Sequence, residues 1–169
     1  MLGLFQVTKN DNDELRDTSS GWFFRRLGAW TYDALIVMAI LMMAGGVVVA
    51  VLEALVAAGL MSYAPYQDAS DLLSSHPIWS PVYTVYLALV WIYFFVYFWT
   101  RGGQTLGMRA WKMHICTEEG HHISTTQALI RLATSGFGLA NLTVLFDTKK
   151  RGFHDIWAKT KVVVLPKAN

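Results

Sequence analysis

The chain is poor in charge. Only 15% of its 169 residues are Asp, Glu, Lys or Arg, whereas 54% are apolar. A typical soluble domain carries about 25% charged residues. The shortage is also uneven. No Lys or Arg occurs between Leu27 and Thr100, a window whose only charges are Asp33, Glu53, Asp68 and Asp71. All 14 basic residues lie before or after it. Soluble domains rarely go so long without a cation, but a membrane segment must, because a cation in hydrocarbon is costly. An ordinary soluble fold is therefore excluded, and one small membrane bundle fits the length.

Other absences narrow the chemistry. The single Cys116 rules out an intramolecular disulfide and a paired-thiol metal clamp, so it reads as a buried or interfacial thiol. His114, His121, His122 and His154 match no standard ligand spacing, so neither a metal nor a cofactor is expected. Nucleophile motifs, phosphate-cradling loops and nucleic-acid modules are missing, so no enzyme and no nucleic-acid partner is expected. Residues 1–20 form a polar tail without the apolar core or cleavage site of a secretory signal, which leaves the first span as an uncleaved anchor.

What remains is long apolar runs. Asp33 and Glu53 bracket 19 uncharged residues, enough for a helix to cover nearly the roughly 30 Å hydrocarbon layer. The first span is placed at about 34–58 and the second at 82–100. Gly45-Gly46 in the first reads as a close helix contact. Residues 62–81 form a loop with three prolines and only acidic charges. Lys9, Arg16, Arg25 and Arg26 precede the spans, Arg101, Arg109 and Lys112 come after them, and the connecting loop has no cation. The positive-inside rule then places the N-terminus and the region after residue 100 in the cytoplasm.

Beyond residue 100 the pattern is mixed. Residues 105–113 read as an amphipathic segment, with Leu106, Ala110 and Met113 on one face and Thr105, Arg109 and Lys112 on a basic one suited to anionic lipid. "KMHICTEEGHHIS" reads as strand, turn and strand around Glu119-Gly120, and "TKVVVLP" as a third strand of a small cytoplasmic sheet. The hydrophobic segment 125–146 carries Gln127, Arg131, Thr134, Gly138 and Asn141 along one stripe, which lipid would not accept. It is expected to dip in and return or to lie along the surface, with a complete third crossing as the alternative. The fold class expected is an all-α membrane protein: two spans, a third membrane-entering or re-entrant amphipathic helix and a short β element. The domain is 21–165, with 166–169 a tail.

Arg26 and Asp33 lie seven residues apart, nearly on one helical face, at the cytoplasmic end of the first span. An aspartate at that depth needs a cationic or hydrogen-bonding partner. The closing stretch "KKRGFHDIWAKTKVVV" offers Arg151, His154, Asp155 and Lys159. His154 beside Asp155 has the makings of a proton relay. The expected network joins Arg26, Asp33 and Asp155, with Arg131 as a further counter-charge.

These stretches resemble the RDD family of small membrane proteins, named for one arginine and two aspartates. "GWFFRRLGAWTYD" resembles its opening motif, which implies Arg26 and Asp33. "GGQTLGMRAWKMHI" resembles the middle motif, with Gly103, Thr105, Leu106 and Gly107 in place. "EGHHIS" and Arg131 resemble the family's next segment. "KRGFHDIWAKTKVVV" resembles the closing motif, with Asp155 the second aspartate and Thr160 near the end. Met108 stands where the family usually has Lys, and His114 and Lys159 also depart from it. The resemblance implies a multi-pass protein of a bacterial cytoplasmic (inner) membrane and no enzymatic activity. It implies either a transport role, with Na⁺ or K⁺ exchanged for protons at Asp33 and Asp155, or a scaffold or assembly factor in which the Arg/Asp network is structural. Two or three spans cannot enclose a path, so transport requires a homo-oligomer. Beyond lipid, small cations and protons are the partners expected.

Overall fold

The computed structural model describes residues 19–135 and 153–164. Helix α1, Ser19–Ala57, is followed by the short α2, Ala69–Ser75, and the long α3, Trp79–Gly102. Then come α4, Leu106–Ala110; β1, Met113–Thr117; α5, Thr125–Thr134; α6, Phe153–Trp157; and β2, Thr160–Val164. Residues 35–94 form one compact unit, and the other described residues form a second.

Both long helices outrun the expected spans at 34–58 and 82–100. Phe23–Ala57 and Trp79–Gly102 are each long and apolar enough to cross a membrane. Only 11% of the most apolar window in each is buried, whereas a soluble core helix would be mostly covered. Met42 and Met43 are more than 70% exposed. Apolar side chains facing outward along a whole helix suit lipid as the surrounding solvent.

In the unit 35–94 the two helices approach through a small residue. A Cβ on Gly45 would lie 2.5 Å from the Tyr83 hydroxyl, so its lack lets the tyrosine in. Tyr86 donates to the Ala44 carbonyl at 3.4 Å. The proline loop is not wholly irregular. Asp68 caps α2 by accepting from the Asp71 amide at 2.8 Å, and α2 buries Ala69, Leu72 and Leu73.

The second unit is built around a two-stranded antiparallel sheet. Met113 pairs with Val164, Ile115 with Val162 and Thr117 with Thr160. Residues 121–124 form no strand, so the expected partner of β1 across the Glu119-Gly120 turn is replaced by β2. The turn itself is present: Gly120 has φ +92 and donates to the Thr117 carbonyl at 3.0 Å. Long-range pairing prevails because "TKVVV" buries Val162 and Val163, while His121 and His122 stay exposed.

An internal repeat emerges in this unit. α4 and α6 are both five residues long, each is followed two residues later by a lysine with positive φ (Lys112, 54°; Lys159, 52°), and each lysine leads directly into a five-residue strand. The offset is constant: 153 − 106 = 47 and 160 − 113 = 47. The burial sequence along α4 matches that along α6, and β1 matches β2. Equal antiparallel strands have a local two-fold axis, so this sheet pairs two copies of one helix–lysine–strand unit.

The expected faces of 105–113 hold only in part: Met113 is buried and Arg109 and Lys112 are exposed, but Thr105, Leu106 and Ala110 change sides. Thr105 is 1% exposed and caps α4, accepting from the Met108 amide at 3.2 Å, while Leu106 and Ala110 face out. Its hydroxyl is needed inside, where it donates to Asp33. α5 begins with a capping box between Ser124 and Gln127 and buries Ala128, Arg131 and Leu132. The polar stripe of 125–146 is described only as far as Thr134 and Ser135. Gly138, Asn141 and the question of a third crossing lie outside the described residues.

Candidate functional site

Among the described residues, all seven buried polar or charged ones belong to the second unit: Arg26, Asp33, Thr105, Arg131, His154, Asp155 and Thr160. They form two clusters, both attached to the start of α1.

The first cluster centres on Asp155, whose side chain is fully buried. Arg26 Nη2 lies 2.8 Å from one carboxylate oxygen, and Arg131 Nη1 lies 2.5 Å from the other. Arg131 Nη1 also donates to the Thr160 hydroxyl, and its guanidinium stands 5.4 Å from the centre of the Trp99 ring. Asp155 therefore ties together α1, α5 and α6, and Arg131 extends the tie to the first residue of β2. Two cations share one anion, leaving a formal excess of +1 among these three buried groups. Burying such charges is tolerable only because they are paired, and removing one partner of such a pair typically costs about 3–5 kcal/mol.

His154 adds no charge. Its Nε2 lies 3.4 Å from Asp155 Oδ1, close enough for an ion pair by distance. Burial, then the neighbouring Arg131 charge, pushes its pKa down to about 3 against the pull of Asp155. The ring is thus neutral at pH 7, and the contact is not ionic. Its Nδ1 is buried with no hydrogen-bond partner among the described residues. A proton relay through His154 needs a second partner at that atom.

The second cluster centres on Asp33, and it is not the one expected. Asp33 meets neither Arg26 nor Asp155. It accepts a 2.5 Å hydrogen bond from the Thr105 hydroxyl and a 2.8 Å bond from the Gly107 amide. Among the described residues it forms no ion pair. The helical phase of Arg26 and Asp33 is real, but each addresses a different repeat: Arg26 holds α6 and Asp33 holds α4. Gly107 is required by proximity. A Cβ there would strike the Ala29 carbonyl oxygen and come within 2.9 Å of Asp33 Oδ1. Gly103, with φ +61, turns the chain so that its carbonyl accepts from the Ile115 amide at 2.7 Å.

The remaining candidates are scattered. Lys159 is exposed and Arg151 lies outside the described residues. Gln127 spends its amide on the Ala158 carbonyl at 3.1 Å, fastening α5 to the turn after α6. His114 is half-buried against the Gly103 carbonyl, and burial, then His122, lowers its pKa. Cys116 is buried, which raises its thiol pKa and leaves it a poor nucleophile. Sequence reasoning missed Thr105 and Gly107 as the partners of Asp33, and Trp99 as the platform of Arg131. A Ser/Thr three residues before a helical amide is a visible cap signal. Nothing in the sequence reveals which carboxylate such a cap also serves.

No curated protein and no solved structure matches the chain. The RDD family matches residues 21–159, which include Arg26, Asp33, Arg131 and Asp155 but stop one residue short of β2. With that match over most of its length and two long helices apolar enough to cross a bilayer, the chain belongs to the RDD family and is a membrane protein.

Proposed function

We propose that this protein is a non-enzymatic membrane scaffold in which the Arg/Asp network is structural, seated in a bacterial cytoplasmic (inner) membrane with its N-terminus inside. The orientation rests on the cations that flank the two spans and are missing between them. The carrying observation is the state of Asp155. Each of its oxygens is taken by a different buried guanidinium. A carboxylate that loads and releases a cation needs an accessible oxygen, whereas both oxygens of Asp155 are occupied by buried guanidinium groups. Asp155 in this reading is a fastener. It fixes the sheet and the short helices to the base of α1 as a docking body for partner proteins, including further copies of the chain.

One observation favours a second reading, cation/proton exchange centred on Asp33. Its donors, a hydroxyl and an amide, are both neutral. Protonating Asp33 would therefore strand no buried cation, as protonating Asp155 would. The test is cation-dependent proton flux in liposomes holding the purified protein, with Asp33→Asn and Asp155→Asn beside it. The scaffold reading expects no flux from monodisperse wild type. Flux that requires Na⁺ or K⁺ and vanishes in a monodisperse Asp33→Asn variant would establish exchange instead.

A further inference from the structure

The helix α6 is inside out by the standards of a soluble protein. Its polar residues, His154 and Asp155, are 7% and 1% exposed. Its large apolar residues, Phe153, Ile156 and Trp157, are 43%, 44% and 62% exposed. The Phe153 and Trp157 rings meet at 5.7 Å on that outer side. Water disfavours this arrangement. A bilayer interface favours it, because aromatic rings gather at the headgroup level.

Depth can be read along α1. The 19 residues between Asp33 and Glu53 span about 28 Å at the helical rise, matching the hydrocarbon layer. Arg26 lies seven residues before Asp33, which is about 10 Å farther out. Asp155 is bonded to Arg26 at 2.8 Å, so α6 is tied to the charged stretch that precedes the apolar run of α1. The repeat adds a second foot: α4 exposes Leu106 and Ala110 at the corresponding positions. The exposed charge of this unit is mostly of one sign. Arg25, Arg101, Arg109, Lys112 and Lys159 are exposed, against Glu118 and Glu119 among the described residues of this unit.

We propose that α6, assisted by α4, is an interfacial anchor whose exposed Phe153, Ile156 and Trp157 enter the headgroup layer of an anionic bilayer, with the surrounding cations on lipid phosphates. The pairing of Asp155 with two arginines serves this placement. It buries the polar face of α6 against protein and turns the apolar face to lipid. The inference depends on membrane residence alone and holds whether the network is a scaffold or an exchanger.

The test uses the full chain in vesicles. In a Cys116→Ala background, a nitroxide is attached to Ile156→Cys and, separately, to Glu118→Cys. Its collision rates with oxygen and with a water-soluble nickel chelate are compared in phosphatidylcholine alone and with one-third phosphatidylglycerol. The expected result is at least a twofold higher oxygen-to-nickel ratio at 156 than at 118, rising further with the anionic lipid. Quenching by brominated lipid that falls in Trp157→Phe would agree without a label. Three results would overturn the proposal: equal ratios at the two sites, a label at 156 shielded from both reagents as in a protein–protein contact, or a depth indifferent to anionic lipid.

Discussion

Residues 35–94 and the unit around the sheet solve opposite problems. The first contains no cation, and none of the seven buried polar or charged residues lies in it. Its helices meet through a glycine and tyrosine hydroxyls, and many of the large apolar side chains along them face outward. The second unit buries two arginines and two aspartates and assigns every one of them a partner. Lipid contributes little hydrophobic drive between helices, so close packing must suffice in the hydrocarbon. In the second unit short helices and a two-stranded sheet are too small to be stable by themselves, and buried ion pairs fasten them.

The sharpest way to break that contrast is Asp155→Asn. It leaves two buried guanidinium groups without their anion and is expected to cost about 3–5 kcal/mol. Thermal unfolding in detergent should fall accordingly, with the sheet lost first in amide exchange and the long helices retained. Gly107→Val comes next. Its side chain collides with the Ala29 carbonyl and crowds Asp33, for an expected loss of about 1–3 kcal/mol by the same assay.

Acid should weaken only the charged unit. His154 ionises near 6.5 when unfolded but near 3 in the fold, so between those values the unfolded chain binds the extra proton. Stability is therefore full above about pH 6.5 and falls on acidification by about 1.4 kcal/mol per pH unit. The comparison is pH-dependent unfolding of wild type against His154→Asn, whose slope should be shallower by one proton. Glu53→Gln should do least, within about 0.5 kcal/mol, because Glu53 is exposed at the far end of the apolar run. A large loss there would undo the division between the units.

Much of the second unit is legible residue by residue and illegible in its pairing. Composition marks both spans, and helical phase puts Arg26 and Asp33 on one face. Phase cannot tell that they serve different clusters, since partners 72 to 129 residues away in sequence leave no local mark. Thr105 reads as exposed because it falls on a polar helical face, yet α4 is one short turn whose cap points inward. A strand beside His121 would be adjacent and cheap to close, but the valines of β2 have more apolar surface to bury. The repeat of α4–β1 in α6–β2 is hidden because "LGMRAWKMHICT" and "FHDIWAKTKVVV" share geometry and burial with little residue identity.

By itself the sequence determined that this is a membrane protein of the RDD family, because cation-free apolar runs and ordered short motifs are properties of the chain alone. Only the tertiary structure decided that Asp155, not Asp33, takes both arginines, that Asp33 rests on a hydroxyl and an amide, and that α6 turns its apolar side outward. Those outcomes depend on which buried donor comes within about 3 Å of which acceptor, and that distance is set by packing between segments far apart in sequence.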